Sequence, residues 1–160
     1  MQSVIDISRL PEVANKGRIA ILKSKWYPEL VECMASACAS VLEDAGFNQV
    51  EQHVLPGSLE IPLAARDLLA HDVDNTLDAI VCFGIIVKGD TLHFDMISNE
   101  CMRGLGEVMH EFRRPIIVEV IPVFEMKHAV ERASDDENNK GYEAAAAAIE
   151  MIAWRQSLEQ

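Results

Sequence analysis

Continuous apolar runs alternate with amphipathic segments along most of this chain. Arg18 to Lys23 contains four consecutive apolar residues, and Asp78 to Ile86 and Pro115 to Ile121 are also rich in them. Gln52 to Leu55 ends in a shorter apolar pair. Runs of this kind are typical of parallel strands that are covered on both faces. The pattern therefore predicts four core strands.

Between and after these strands, apolar residues recur at helical spacing. The clearest example begins at Pro28 and ends at Gly46, and proline and glycine are common where helices begin and end. Strands that alternate with helices predict an α/β fold, in which helices cover both faces of a parallel sheet. The other predicted helices are residues 58–70 with Ser58 as N-cap, the segment from the turn 89–91 to Phe112, residues 127–133 and residues 142–154.

Residues 1–17 form an arm ahead of the first predicted core strand. Apolar and polar residues alternate from Ser3 to Ser8, which predicts a short strand, and Pro11 and Gly17 then interrupt the pattern. The length of the whole chain suits one hydrophobic core. We therefore expect a single domain over residues 1–160 that carries an N-terminal arm.

The chain is strongly acidic, with a formal net charge of -12 and a pI near 4.7. A surface of this sign repels phosphate backbones and anionic lipids, which argues against nucleic-acid binding and membrane binding. No apolar run approaches the roughly 18 residues of a membrane-spanning helix, and the first ten residues lack the apolar block of a signal peptide. We expect a cytoplasmic protein that binds any phosphorylated substrate in a local basic pocket.

Cysteines and histidines are spaced too irregularly for a metal site or a disulfide framework. No CxxC, HxH or HxxxH pattern occurs. We therefore expect reduced cysteines within the core and no bound metal. These residues are Cys33, Cys38, Cys82 and Cys101, with His53, His71, His93, His110 and His128.

The candidate chemistry is concentrated after the predicted strands. In open α/β sheets, ligands bind beyond the carboxyl ends of the strands. The segments at those ends are residues 24–27, 56–60, 87–93 and 122–125. These four loops are the expected walls of a binding crevice.

Two of the loops carry groups suited to a flat polar ligand. Trp26 offers a ring that stacks on a heterocycle, and the segment from Ser58 to Glu60 offers a hydroxyl, a carboxylate and backbone amides. A tryptophan that only covers the end of the sheet and a serine that only caps a helix are the simpler alternatives. Position alone leaves both alternatives open.

The stretch from Gly84 to Asp95 is the most informative. Gly84 permits close approach of the backbone to a ligand, and the amides of Asp90 and Thr91 are expected at a helix N-terminus that attracts phosphate. His93 follows in the first turn, where an imidazole passes protons near neutral pH. The alternative for His93 is an ordinary helix-surface residue.

Two cations late in the chain suit a substrate phosphate. Arg132 offers a bidentate fork and Lys140 a point charge. Surface ion pairs with the acidic residues 135–137 are the alternative, and spacing alone favours that alternative.

Five motifs, taken together and in order, closely resemble the lumazine synthase family. They are LPGSLEIPLAARDL, FGIIVKGDTLHFDMISNE, PIIVEVIP, HAVERA and NKGYEAAAAAIEM, and the likeness extends from about Gly17 to Trp154. Linked motifs over most of a chain are far more specific than one short pattern. The resemblance implies a flavodoxin-like, three-layer α/β/α domain with four parallel core strands. It also implies pentamers with active sites shared between adjacent subunits, and an arm that adds a strand to a neighbouring sheet.

The resemblance further implies the penultimate step of riboflavin biosynthesis. In that step 5-amino-6-ribitylaminouracil condenses with 3,4-dihydroxy-2-butanone 4-phosphate to give 6,7-dimethyl-8-ribityllumazine, phosphate and water. The implied enzyme is a cytoplasmic transferase that needs no cofactor and has a functional link to riboflavin synthase.

The family's site residues match positions of this chain one by one. His93 matches the proton-transfer histidine, Arg132 the phosphate anchor and Lys140 a supporting lysine. Trp26 matches the ring-stacking aromatic, and Val118 stands where many relatives have a phenylalanine over the substrate. The remaining matches are Ser58, Leu59 and Glu60 for the ribityl chain, Ile85, Ile86 and Val87 for the pyrimidine edge, and Gly89, Asp90 and Thr91 for the phosphate.

Departures from the family pattern affect two expectations. Val118 reduces stacking over the substrate, and Pro122 and Val123 replace threonine-type residues. The acidic loop 134–139 lacks the Gly-Thr-Lys-x-Gly pattern of many shell-forming relatives, so pentamers, decamers and sixty-subunit shells all stay open. The alternatives to the enzyme are a non-catalytic flavin- or lumazine-binding scaffold and an unrelated phosphate-binding module of flavodoxin-like fold.

Overall fold

The computed structural model of the chain describes residues 5–159. Within that range, strands and helices alternate along the chain. The strands are β1 (Arg18–Ser24), β2 (Gln49–Leu55), β3 (Leu77–Val87) and β4 (Ile116–Val123). The helices are α1 (Pro28–Asp44), α2 (Ile61–His71), α3 (His93–Phe112), α4 (Met126–Arg132) and α5 (Lys140–Ser157), with short 3-10 helices at Ile7–Arg9 and Ser58–Glu60.

The strands form one parallel sheet in the order β2-β1-β3-β4. Because every pair is parallel, the carboxyl ends of all four strands lie at the same end of the sheet. The chain winds outward in both directions from β1 and β3, which makes the gap between them a topological switch point. The sheet confirms the predicted α/β fold with four parallel strands and flanking helices.

Alternate residues of each central strand enter two separate cores. Ile19 and Ile21 of β1 pack with α1 and α5, whereas Ala20 and Leu22 pack with α2 and α3. All four side chains are fully buried. Burial on both faces explains why the central strands are continuously apolar. The sheet and the helices on its two faces form three layers.

Helices α1 and α5 pack unusually closely at the start of α5. A Cβ atom on Gly141 would lie 2.1 Å from the carbonyl oxygen of Met34, so only glycine fits. Asn139 caps α5, because its side-chain oxygen accepts a hydrogen bond from the Gly141 amide at 2.8 Å and its Nδ2 donates to the Ser134 carbonyl at 2.9 Å. Small buried residues then continue the contact along α5 at Ala144, Ala145 and Ala148.

The described part of the N-terminal arm differs from the predicted short strand. Ile7–Arg9 is a 3-10 helix, and the Asp6 carboxylate accepts a hydrogen bond from the Ser8 amide at 3.0 Å. This local cap satisfies a backbone donor that a strand would have left for a partner. Ser3, where the predicted strand begins, lies outside the described residues.

Strand β2 begins at Gln49, three residues before the predicted start. It is an edge strand of the sheet and pairs only with β1. All seven of its side chains are half-buried or exposed, and Val50 is the one apolar residue among its first three, so the hydrophobic pattern does not reveal this part of the strand.

The cysteines are all free thiols, as predicted, although they are not equally buried. Cys38, Cys82 and Cys101 lie within the core, whereas Cys33 is half-buried. Burial raises the pKa of the Cys101 thiol to about 11, which keeps it protonated at neutral pH. None of the helices within residues 5–159 combines the length and apolar character that crossing a membrane requires.

The α1–α5 contact generates a stability prediction. Gly141→Ala forces a methyl group against the Met34 carbonyl and is expected to lower the free energy of unfolding by about 1–3 kcal/mol. Gly106→Ala in α3 is the matched control, since a Cβ there meets nothing within 4 Å and alanine is the better helix former. Denaturant unfolding at equal protein concentration measures both. Equal stability of the two variants would contradict the close contact.

Candidate active site

A cavity of about 480 Å³ opens at the carboxyl ends of β1, β2 and β3, next to the switch point. Its position is the one expected for a ligand site in an open α/β sheet. The lining residues are Trp26, Tyr27, Pro56, Gly57, Ser58, Leu59, Glu60, Ile85, Ile86, Val87, His93 and Ile97.

An aromatic turn forms the wall after β1. Trp26 lines the cavity, yet its side chain is 61% exposed, so a face of the ring is available to a ligand. Tyr27 has a left-handed conformation with φ 53°, which is rare for an aromatic residue, and it is the N-cap residue of α1. Such a conformation costs about 1–3 kcal/mol and is often found at functional sites. Sequence reasoning covered Tyr27 only as part of a loop.

Ser58 and Gly84 meet inside the wall after β2, which corrects two predictions. A Cβ on Gly84 would lie 2.5 Å from the Ser58 hydroxyl oxygen, so the glycine makes room for a side chain of the protein rather than for a ligand. Ser58 is not a helix cap: it is the buried first residue of a 3-10 helix, and α2 begins only at Ile61. The Cys101 thiol donates to the Ser58 carbonyl at 3.2 Å and fixes this turn against α3.

Gly57 separates two functional groups of the same wall. A Cβ on this glycine would lie 3.0 Å from Oε2 of Glu60 and 3.6 Å from Nε1 of Trp26. The carboxylate and the indole N–H therefore flank one small residue. This edge of the cavity offers both a hydrogen-bond acceptor and a donor beside an aromatic ring.

The end of β3 forms the floor. The pairing of β3 with β1 ends at Phe83, whereas its pairing with β4 continues to Val87. On the β1 side, the backbone of residues 85–87 therefore has no strand partner within the described residues. Unpaired backbone N–H and C=O groups beside buried apolar side chains suit the polar edge of a flat ring.

His93 lies at the cavity and opens α3. The helix begins at His93 rather than at the predicted Asp90 or Thr91, because the preceding residues form an exposed loop with Leu92 as N-cap residue. The Thr91 hydroxyl accepts a weak hydrogen bond from the His93 amide at 3.4 Å. The cavity lining includes His93 but not the three residues of the preceding turn, Gly89, Asp90 and Thr91. Ile97, one turn further, also lines the cavity and was not predicted.

Three predicted site residues lie away from this cavity in the same chain. Val118 is half-buried in the edge strand β4 and pairs with Cys82, well before the carboxyl end of that strand. Arg132 ends α4, and its guanidinium donates to the His128 carbonyl at 2.9 Å. Lys140 begins α5 and forms an ion pair with the Glu143 carboxylate.

Glu119, a titrating group whose carboxylate is affected by the charge of Lys140, was not predicted from the sequence. Burial raises its pKa to about 7; the charge of Lys140 opposes this shift and that of Glu143 adds to it. In a single sequence, a glutamate between apolar strand residues is most simply interpreted as a residue that faces solvent. Only the packing of α5 on β4 brings the two charges close to it.

A second cavity, of about 590 Å³, is larger but lies at the amino ends of the strands. It is lined by residues of the arm, by Asn75 and Asp78 before and in β3, and by Arg114 and Arg155. None of the motif residues that carry candidate chemistry reaches it. The smaller cavity at the carboxyl ends is therefore the candidate active site.

Comparison with known families identifies a match over most of the chain. The family model described as 6,7-dimethyl-8-ribityllumazine synthase matches residues 16–156, which cover most of the chain. The match begins just before β1 and ends within α5, so it includes the whole sheet and both groups of predicted site residues.

The contact between Ser58 and Gly84 generates a double-mutant prediction. Gly84→Ala overpacks the wall and is expected to reduce the free energy of unfolding by about 1–3 kcal/mol. Ser58→Ala removes the hydroxyl that the new methyl group meets, so the double variant is expected to recover part of that loss. Denaturant unfolding of the four proteins measures the coupling. Strict additivity would show that the two residues are not in contact.

Proposed function

The chain belongs to the 6,7-dimethyl-8-ribityllumazine synthase family, and on that premise we propose that the cavity beside Trp26 and His93 is its active site. The family match confirms the resemblance predicted from the motifs. The chain is a transferase of riboflavin biosynthesis that condenses 5-amino-6-ribitylaminouracil with 3,4-dihydroxy-2-butanone 4-phosphate. The observation that carries the proposal is the convergence of eight predicted site residues on one cavity.

The pyrimidine ring binds between Trp26 and the floor of the cavity. The exposed indole face supports stacking, and the unpaired backbone of residues 85–87 supports hydrogen bonds to the ring's polar edge. The ribityl chain extends toward Ser58, Leu59 and Glu60, where the Glu60 carboxylate accepts hydrogen bonds from hydroxyl groups. This orientation directs the amine toward His93.

The phosphate of the second substrate binds at the loop 89–91, ahead of α3. Helix α3 has twenty residues, and the unpaired amides and dipole at the start of a helix attract phosphate. The chain is acidic overall, so a further cation is needed to hold a phosphate dianion. Arg132 supplies that cation through its planar fork.

Arg132, Lys140 and Val118 act in the site of an adjacent subunit. Their absence from the lining of the cavity of their own chain supports this arrangement, as does their position on the edge strand β4 and on the two helices that follow it. Exposed apolar side chains at that edge, Phe124 at 68% and Val130 at 48% exposure, support its burial against another copy. The assembly is a ring of five subunits in the cytoplasm. The N-terminal arm of each subunit reaches the sheet of a neighbouring subunit.

His93 transfers protons during the condensation. The amine of the pyrimidine attacks the ketone, and the carbonyl oxygen takes up a proton as the new C–N bond forms and water leaves. Removal of a proton from the hydroxyl-bearing carbon expels phosphate from the next carbon, and the resulting enol becomes a second ketone. The ribityl-bearing nitrogen attacks this ketone and closes the ring with loss of a second water, and these steps require further proton transfers. Histidine gives up and accepts protons near neutral pH, and a positioned acid–base group contributes about 10²-fold or more. Orientation of two substrates in one cavity supplies several more kcal/mol.

His93→Ala is expected to lower turnover about 10²-fold or more while pyrimidine binding remains nearly unchanged. His110→Ala is the matched control, because His110 is an exposed residue in the last turn of the same helix. Absorbance of the lumazine product measures turnover, and calorimetry with the pyrimidine measures binding. Wild-type binding without product would favour the non-catalytic scaffold, and full activity of His93→Ala would refute the assigned role.

A mixed-subunit experiment tests the shared site. Arg132→Ala alone is expected mainly to raise KM for the phosphorylated substrate. Co-expression of His93→Ala and Arg132→Ala subunits in equal amounts creates some sites in which both residues are native, because each residue comes from a different chain. With the phosphorylated substrate kept far below the KM of Arg132→Ala, where that variant is nearly inactive, about a quarter of the wild-type activity is expected in a randomly mixed ring. Activity no greater than the mean of the two parent variants would indicate that both residues act within one chain.

A further inference from the structure

Glu119 is an acidic residue on an otherwise apolar face of β4. Its neighbours at alternate positions, Ile117 and Ile121, pack into the core formed with α1 and α5. Glu119 faces the same layer, because alternate residues of a strand share a face, and its partner on β3 is the buried Phe83. No hydrogen-bond donor within residues 5–159 contacts its carboxylate.

Three ionisable groups face Glu119 from the elements packed against it. Cys38 lies on α1, where burial and then the charge of Glu119 raise its pKa to about 12. Lys140 and Glu143 lie in the first turn of α5. The Lys140 side chain is only 18% exposed, its ammonium pairs with Glu143, and its charge also acts on Glu119. Helix α4 also packs on β4, but its ionisable side chains are not among the groups whose charges act on Glu119.

We propose that Glu119 is a positioning residue for Lys140, which it holds back from the substrate phosphate when it is ionised and releases when it is protonated. The inference rests on the proposed function, in which Lys140 assists phosphate binding in the site of an adjacent subunit. Glu119 itself touches neither substrate. The charge of Glu119 affects whether the Lys140 ammonium stays near the Glu119 and Glu143 carboxylates or moves toward an incoming phosphate.

The buried position of Glu119 makes the binding of the substrate phosphate depend on pH in a defined direction. Burial, opposed by Lys140 and aided by Glu143, raises the pKa of Glu119 to about 7. Below that pH Glu119 is neutral, and of these two carboxylates Glu143 alone competes with phosphate for Lys140. Above it Glu119 is an anion that attracts the ammonium and also repels phosphate. KM for the phosphorylated substrate therefore rises as pH increases through neutrality, whereas KM for the pyrimidine does not follow Glu119.

Glu119→Gln tests the inference, because glutamine has the shape of the protonated acid and stays neutral at every pH. At about pH 8 its KM for 3,4-dihydroxy-2-butanone 4-phosphate is expected to be about three- to tenfold below that of the wild type, and at about pH 6 the two are expected to be equal. KM for the pyrimidine and kcat are expected to change little. Glu150→Gln, an exposed change on the same helix as Lys140, is expected to follow the wild type throughout.

A second comparison separates positioning from a general structural effect. In a Lys140→Met background, Glu119→Gln is expected to lose most of its influence on KM, because the residue through which it acts is gone. The same pH dependence of KM in wild type and Glu119→Gln would overturn the inference, and so would parallel changes in both KM values and kcat. Those results require an active wild-type enzyme. Absence of lumazine product from the wild type would instead contradict the proposed function itself.

Discussion

The pairing of β3 with its two neighbours is the constraint on which the rest of the structure depends. Strand β3 lies between β1 and β4 and is covered by helices on both faces, so it fixes both cores. It also extends beyond the end of β1, because their pairing stops at Phe83. The strand that completes both cores thus continues into a segment at the crevice whose backbone has no strand partner on the β1 side. Residues of one strand therefore contribute both to the core and to the proposed ligand-binding edge.

The division of functional residues follows from this sheet order. The loops after β1, β2 and β3 converge on the switch point and enclose the cavity. Strand β4 is at the edge, and the two helices that follow it carry Arg132 and Lys140 away from that cavity. An assembly that brings this edge to a neighbour's crevice would unite the two groups without any rearrangement of the fold. Glu119, between β4 and α5, would then add a proton-dependent charge to the contributed side.

Much of the fold was predictable, because buried parallel strands and amphipathic helices have strong periodic patterns. The runs around Ile19 and Val81 and the helix from Pro28 were found close to their observed bounds. Strand β2 was found only in part, since an edge strand is exposed and Val50 is the one apolar residue among its first three. The 3-10 helix after Asp6 depends on a side-chain cap, and periodicity does not detect such local hydrogen bonds.

The site was predictable as a set of loops but not as a set of contacts. An ordered motif pointed to His93, and the position after the first strand together with the family resemblance pointed to Trp26; the fold brings both to one cavity. The contact of Gly84 with Ser58, and the charges around Glu119, join residues that are distant in sequence, and no local pattern records them.

The most direct test of the proposed active site is a crystal structure of the protein with 6-ribitylaminouracil, which lacks the reactive amine, and inorganic phosphate. A pyrimidine ring is expected to stack on Trp26 and to form hydrogen bonds with the backbone of residues 85–87. A phosphate is expected near the loop 89–91, held by Arg132 of an adjacent subunit. Binding of the pyrimidine at the amino ends of the strands, or a phosphate held by Arg132 of the same chain, would refute the proposed shared site.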